Sequence, residues 1–188
     1  MLFDRDGTLI TETGYLVDPD RLVMVPGAAE AVARLNRAGI KVALVTNQSA
    51  VGRGWLTAAG LDAIHARLAE HLARAGAHLD AIYSCFEHPT EGVGAFRRES
   101  PRRKPAPGML LEALAHLRVA PERAWVVGDG ARDLIAASRA GCSGILVLTG
   151  KGAAERAATT SALGGAPPVL TDVTEAVDWL LRNDSRND

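Results

Sequence analysis

Apolar residues recur along this chain in two rhythms. Short, mostly apolar runs at 2–3, 40–45, 79–85, 124–127 and 144–148 have the length and composition of buried strands. Between them, apolar positions return every third or fourth residue, as on one face of a helix. Pro26-Gly27 opens a helix to about Ala38, with Ala29, Val32, Ala33 and Leu35 inward and Gly39 at its end. Thr57 caps a helix with Leu61, Ile64, Leu68 and Leu72 inward, closed by Gly76, and places His65 and His71 on its surface. A helix follows 104–108, through Leu110, Leu111, Leu114 and Leu117; others span 132–140 and 173–181. Strands alternating with helices predict an α/β fold: a three-layer α/β/α sandwich around a mostly parallel, Rossmann-like sheet.

Three stretches break the rhythm. Residues 9–25 carry turn signals at Gly14-Tyr15 and Asp18-Pro19-Asp20, and predict a small flap or irregular hairpin. Residues 86–103 form a long aperiodic loop, of the kind that is functional or mobile. Residues 153–166, rich in Ala, Thr, Ser and Gly, predict a mobile connection with at most a short helix. Residues 168–170 suggest a last edge strand. One domain is expected over 1–182, with a frayed tail at 183–188. Only three residues precede Asp4, so the true start of the chain is expected upstream or lost.

Composition narrows the classes. The net charge of −1 gives no reason to expect nucleic-acid binding, although arginines cluster between Arg97 and Lys104. Two cysteines, Cys85 and Cys142, argue against a disulfide framework. No apolar run reaches membrane-spanning length, and no signal peptide opens the chain, so a cytoplasmic protein is expected.

The chemistry lies at the strand ends, where ligands of α/β sheets bind. Asp4 and Asp6 end the first run, and in an extended strand they share a face. Carboxylates this close repel unless a cation lies between them or one holds a proton. An ionised carboxylate is a nucleophile, and a protonated neighbour is a general acid. Thr46-Asn47-Gln48-Ser49 follow the second run, Asp129 the fourth, and Lys104 stands at a helix start.

Asp4-x-Asp6-Gly7-Thr8, Thr46, Lys104 and Gly128-Asp129-x-x-x-Asp133 resemble the four motifs of the haloacid dehalogenase superfamily, in order and over nearly the whole chain. Gly14-Tyr15, Asn47-Gln48-Ser49, Gly52-Arg53-Gly54 and Arg103-Lys104-Pro105-x-Pro107-Gly108-Met109 narrow the resemblance to the D-glycero-D-manno-heptose 1,7-bisphosphate 7-phosphatase family, with histidinol phosphatases as relatives. The resemblance implies a phosphatase without a large cap domain, often monomeric, acting on a small phosphorylated metabolite. Asp4 would be the nucleophile and Asp6 the acid and base. Thr46 and Lys104 would stabilise the phosphoryl group. Mg²⁺ would be held by Asp4, Asp129 and the main-chain carbonyl of Asp6. Glu12, Thr13, Gly14, Tyr15, Asn47, Gln48, Ser49 and Arg103 would contact substrate, with Arg53 a weaker candidate. Asp133 would orient Lys104 or a metal-bound water, or simply serve as a first-turn helix acid.

The chain departs from the family in one place. Relatives carry Cys-x-His and Cys-x-Cys zinc ligands around the long loop; here those stretches read Cys85-Phe86-Glu87 and Ser100-Pro101-Arg102. A structural zinc needs about four ligands, so none is expected. The loop would then be held by ion pairs among Arg97, Arg98, Glu99, Arg102 and Arg103, or be mobile. Cys142 is expected in the core. Three rivals remain: a phosphatase for histidinol phosphate or another sugar phosphate, a receiver-like phospho-acceptor without turnover, and an inactive binding module.

Overall fold

A computed structural model describes residues 1–183; apart from Asn183, the expected tail lies outside the described residues. Six parallel strands form one sheet: β1 (Leu2–Phe3), β2 (Ala43–Asn47), β3 (Ala81–Cys85), β4 (Trp125–Gly128), β5 (Ser143–Val147) and β6 (Val169–Leu170). Their order is β3-β2-β1-β4-β5-β6, so the chain reverses its direction of travel across the sheet between β1 and β4. The helices are α1 (Ala28–Arg37), α2 (Ser49–Gly52), α3 (Ala58–Arg74), α4 (Gly108–Leu117), α5 (Ala131–Ala140), α6 (Gly152–Leu163) and α7 (Val173–Asn183).

Strand alternation sorts the core into two layers. Phe3, Leu44, Val127 and Ile145 pack with α1, α3 and α7. Leu2, Ala43, Val45 and Val126 pack with α4 and α5. Each layer covers one face, which leaves the strand ends for polar side chains. In α3 the expected stripe Leu61, Ile64, Leu68 and Leu72 is fully buried, and Thr57 Oγ1 caps the helix by accepting from Gly60 N at 3.0 Å.

Several boundaries move. β2 begins at Ala43 because Asp80 takes the Val42 N–H at 2.8 Å, and it runs on through Thr46 and Asn47, which pair with Ser84 and Cys85. Leu111 is exposed, and Met109 takes the buried position on α4. His65 is half-buried rather than on the surface. The expected mobile connection at 153–166 is largely α6, packed on α5, with Glu155 Oε2 accepting from Ala131 N at 3.2 Å. Residues 9–25 do form an irregular hairpin: Ile10 bridges Met24, and Thr11 N donates to Val23 O.

Candidate active site

The first strand is only Leu2–Phe3, and it ends before the aspartates. The chain then wraps over Arg5, whose carbonyl accepts from the N–H groups of Thr8, Leu9 and Ile10. The period-two expectation therefore does not hold for Asp4 and Asp6, and their carboxylates meet different partners.

Asp4 is buried. Its Oδ1 accepts from Arg5 N at 2.7 Å and lies 3.1 Å from Lys104 Nζ; its Oδ2 is 3.8 Å from Arg132 Nη2. Burial alone would raise its pKa, but Lys104, Arg132 and the Arg5 N–H outweigh it and hold the carboxyl below its usual range. Lys104, also buried, lies 2.5 Å from Asp133 Oδ1 and donates to Val45 O at 2.7 Å. Burial would lower the lysine, yet Asp133 and Asp4 raise it. Asn47 grips the main chain of Lys104 from both sides, donating to its carbonyl at 2.9 Å and accepting its N–H at 3.1 Å. Besides its contact with Lys104, Asp133 accepts from Gly130 N at 3.1 Å through Oδ2 at the start of α5.

Asp6 belongs to a second network. Arg5 donates to both of its oxygens at 3.1 Å, and Gln48 Nε2 donates to Oδ2 at 2.9 Å. Gln48 also donates to Thr46 Oγ1 and accepts from Arg5, each at 2.9 Å. With its oxygen already accepting, the Thr46 hydroxyl has its proton free to donate.

Asp4, Asp129 and Asp133 bring ligand oxygens within 4.8 Å of one another, all buried. Lysine 104 partners two of them. Asp129 accepts from Lys151 N at 2.8 Å through Oδ2, while its Oδ1 is buried without a partner. Burial, with Asp4 and Asp133 nearby, pushes its pKa up to about 7. An orphaned carboxylate oxygen among acids fits a hard cation. The backbone comes close on both sides: a Cβ on Gly7 or Gly150, both at positive φ, would stand 2.0 or 2.2 Å from Asp129 Oδ2. The Asp6 carboxylate is not in this group; its expected part is through the main-chain carbonyl.

A cleft of about 280 Å³ opens in front of this centre, lined by Asp6, Glu12, Gly14, Tyr15, Asn47, Gln48, Ser49 and Arg103 of the expected residues. Thr13 does not line it and is exposed on the flap. Asn47 and Gln48 line it, but spend their amides on the protein. Arg5, His88, Arg132 and Lys151, which no pattern in the sequence singled out as substrate contacts, also line the cleft, as does the weaker candidate Arg53. Arg53 pairs with Glu91 and stacks between Tyr15 and Trp55, 5.1 and 4.8 Å from their ring centroids. Arg103 is held by the Glu87 carbonyl at 3.0 Å; burial and the charges of Arg132 and Arg53 lower its pKa.

The altered loop is pinned from outside the arginine cluster. Arg98 pairs with Glu87 at 2.9 Å and Arg102 with Glu112 at 3.1 Å. Cys85 is buried and donates its thiol to Glu87 Oε2 at 3.3 Å; burial and Glu87 push its pKa up to about 11. Cys142 is only partly buried, packed at the edge of the core beside α4 and α5.

The model of the haloacid dehalogenase-like hydrolase family matches residues 10–141. The D-glycero-D-manno-heptose-1,7-bisphosphate 7-phosphatase of Thermosynechococcus vestitus is 40% identical over 186 residues, covering 96% of this chain and 94% of its own. The D-glycero-beta-D-manno-heptose-1,7-bisphosphate 7-phosphatase of Escherichia coli is 33% identical over 184 residues, covering 97% of this chain and 88% of its own. The crystal structure of D,D-heptose 1,7-bisphosphate phosphatase from Bordetella bronchiseptica, complexed with magnesium and phosphate, superposes with a TM-score of 0.84 at 36% identity, covering 97% of each chain. Motif order, sheet topology and these likenesses agree, and the chain belongs to the haloacid dehalogenase-like hydrolases, within them to the heptose-bisphosphate phosphatase family.

Proposed function

We propose that this chain is a Mg²⁺-dependent phosphatase that removes the 7-phosphate of D-glycero-D-manno-heptose 1,7-bisphosphate through an aspartyl-phosphate on Asp4. The observation that carries the reading is one cleft with two cationic regions. Lys104 and Arg132 surround Asp4. Arg53 and Arg103 line the part of the cleft formed by the 86–103 loop and the turn after α2. A monophosphate engages the first region only; a bisphosphate engages both, with the Arg103 fork suited to the second phosphate.

Asp4 attacks phosphorus, and the bond from phosphorus to the sugar oxygen breaks. Asp6 gives its proton to that leaving oxygen. In the second step Asp6 takes a proton from water, whose oxygen bonds to phosphorus as the bond to Asp4 breaks. The proton Asp6 gains there is the one it delivers in the next cycle. Three donors from Arg5 and Gln48 hold the Asp6 carboxylate in place. Thr46 donates its hydroxyl to the phosphoryl group. Asp4, Asp129 and the Asp6 carbonyl would hold Mg²⁺, which when bound offsets repulsion between Asp4 and the phosphate.

The same reading makes the protein a one-domain cytoplasmic monomer over 1–182 that acts on a small metabolite, without nucleic-acid or membrane partners. Two free thiols fit the cytoplasmic assignment. It also carries no structural zinc, since Ser100 and Arg102 stand where the relatives' second pair of ligands would be and too few Cys or His remain to close a site.

The test is phosphate release with Mg²⁺ from heptose 1,7-bisphosphates, histidinol phosphate and sugar monophosphates. The bisphosphate should lead by at least about tenfold in kcat/KM, and Arg103→Ala should erase most of that lead. Equal turnover across the panel would overturn the substrate assignment, and one zinc per chain by metal analysis would overturn the reading of the loop.

A further inference from the structure

Two cations face Asp4, and they are engaged very differently. Lys104 has three donors. One goes to the Val45 carbonyl at 2.7 Å, and the others meet Asp4 at 3.1 Å and Asp133 at 2.5 Å. Arg132 is the second residue of α5 and lines the cleft. Its closest carboxylate, Asp4 Oδ2 at 3.8 Å, is beyond hydrogen-bond reach, and its buried Nε has no partner. Glu12, a further acid near it in the cleft lining, is already paired with Lys151 at 3.1 Å.

We infer that Arg132 is a catalytic residue whose guanidinium joins Lys104 in holding the phosphoryl oxygens as they pass from the ester to Asp4. The inference rests on the phosphatase reading above but not on the identity of the sugar. During transfer, charge spreads over three equatorial oxygens of phosphorus. A planar fork beside the nucleophile offers them two parallel N–H donors. The N-terminus of α5 adds its partial positive charge at the same place. Asp133, Asp4, Asp129 and Glu12 overcome burial and keep the guanidinium charged throughout. Its side chain is 39% exposed, so truncation leaves no cavity in the core.

The test uses p-nitrophenyl phosphate with Mg²⁺, which removes the sugar from the question. Arg132→Ala should lower kcat by about 10²–10³-fold with a much smaller change in KM. Orthovanadate, a mimic of five-coordinate phosphorus, should lose affinity by a similar factor. Added guanidinium ion should restore part of the activity to Arg132→Ala and none to the wild type, and Arg132→Lys should fall between the two. Arg132→Ala with kcat within about threefold of wild type, or with unchanged vanadate affinity, would overturn the inference. A wild-type protein inert toward every phosphate ester would instead overturn the phosphatase reading. Inorganic phosphate titrated calorimetrically into both proteins with Mg²⁺ then decides the role of Arg132 as an anion ligand.

Discussion

Arg5 stands between two aspartates, where a strand of period two would point it away from them. It is instead buried and grips Asp6 from behind, because the strand stops at Phe3 and the chain turns back over it. Asp4, Lys104 and Asp129 were readable because a parallel sheet gathers whatever stands at its strand ends. Arg5 and Arg132 were not, since their placement depends on a turn and on the first residues of a helix, which leave no periodic trace. His65 shares this neighbourhood. Its Nε2 is buried without a partner, and burial, then the charge of Arg5, pulls its pKa down to about 4. Between pH 6.5 and 4 the unfolded chain therefore binds more protons at this site, and stability falls as pH drops through that window. Wild type should lose about 2 kcal/mol more than His65→Gln between pH 7 and 4.5 in urea unfolding. Equal losses would mean that His65 stays solvated in the folded protein.

The helices with a clear stripe were found in the sequence, and the one without was not. Helix α3 is the strong case, since four apolar residues at helical spacing all reach the core. Leu68→Ala should cost about 2–5 kcal/mol in chemical denaturation while leaving kcat near wild type, because the stripe faces the layer away from Asp4's partners. A large fall in kcat at full folding would couple that layer to catalysis. Helix α6 buries only Gly152 and Thr159, so its sequence carries no apolar rhythm. Alanine favours a helix there on propensity alone, and the bond from Ala131 to Glu155 ties it to α5. The end of β2 was misread for a related reason: Thr46 and Asn47 are polar, yet strand pairing to β3 continues through both.

Across the molecule, a net charge of −1 conceals a cleft lined by Arg5, Arg53, Arg103, Arg132 and Lys151 against Asp6 and Glu12. A sum over the chain cannot register such a separation, which exists only once the strand ends and the 86–103 loop are brought together. That loop was expected to pair internally or to move. Arg98 does pair within it, with Glu87, while Arg102 reaches Glu112 on α4, and the His88 N–H donates to Phe96 O at 3.0 Å. Its order thus depends on residues that flank the arginine cluster rather than on the cluster itself.

The place of β1 has a further consequence. It pairs with β2, from before the loop, and with β4, from after it. Asp4 and Asp6 thus come from one half of the chain, Lys104 and Asp129 from the other, and the seam between them runs through the sheet. A single tryptic cut at the exposed Arg97 would leave β1–β3 with α1–α3 on one fragment and β4–β6 with α4–α7 on the other. The nicked protein should elute as one species under native conditions, split into two bands in denaturant, and keep Mg²⁺-dependent turnover. Fragments that separate without denaturant would show that the loop, and not the sheet, joins the halves.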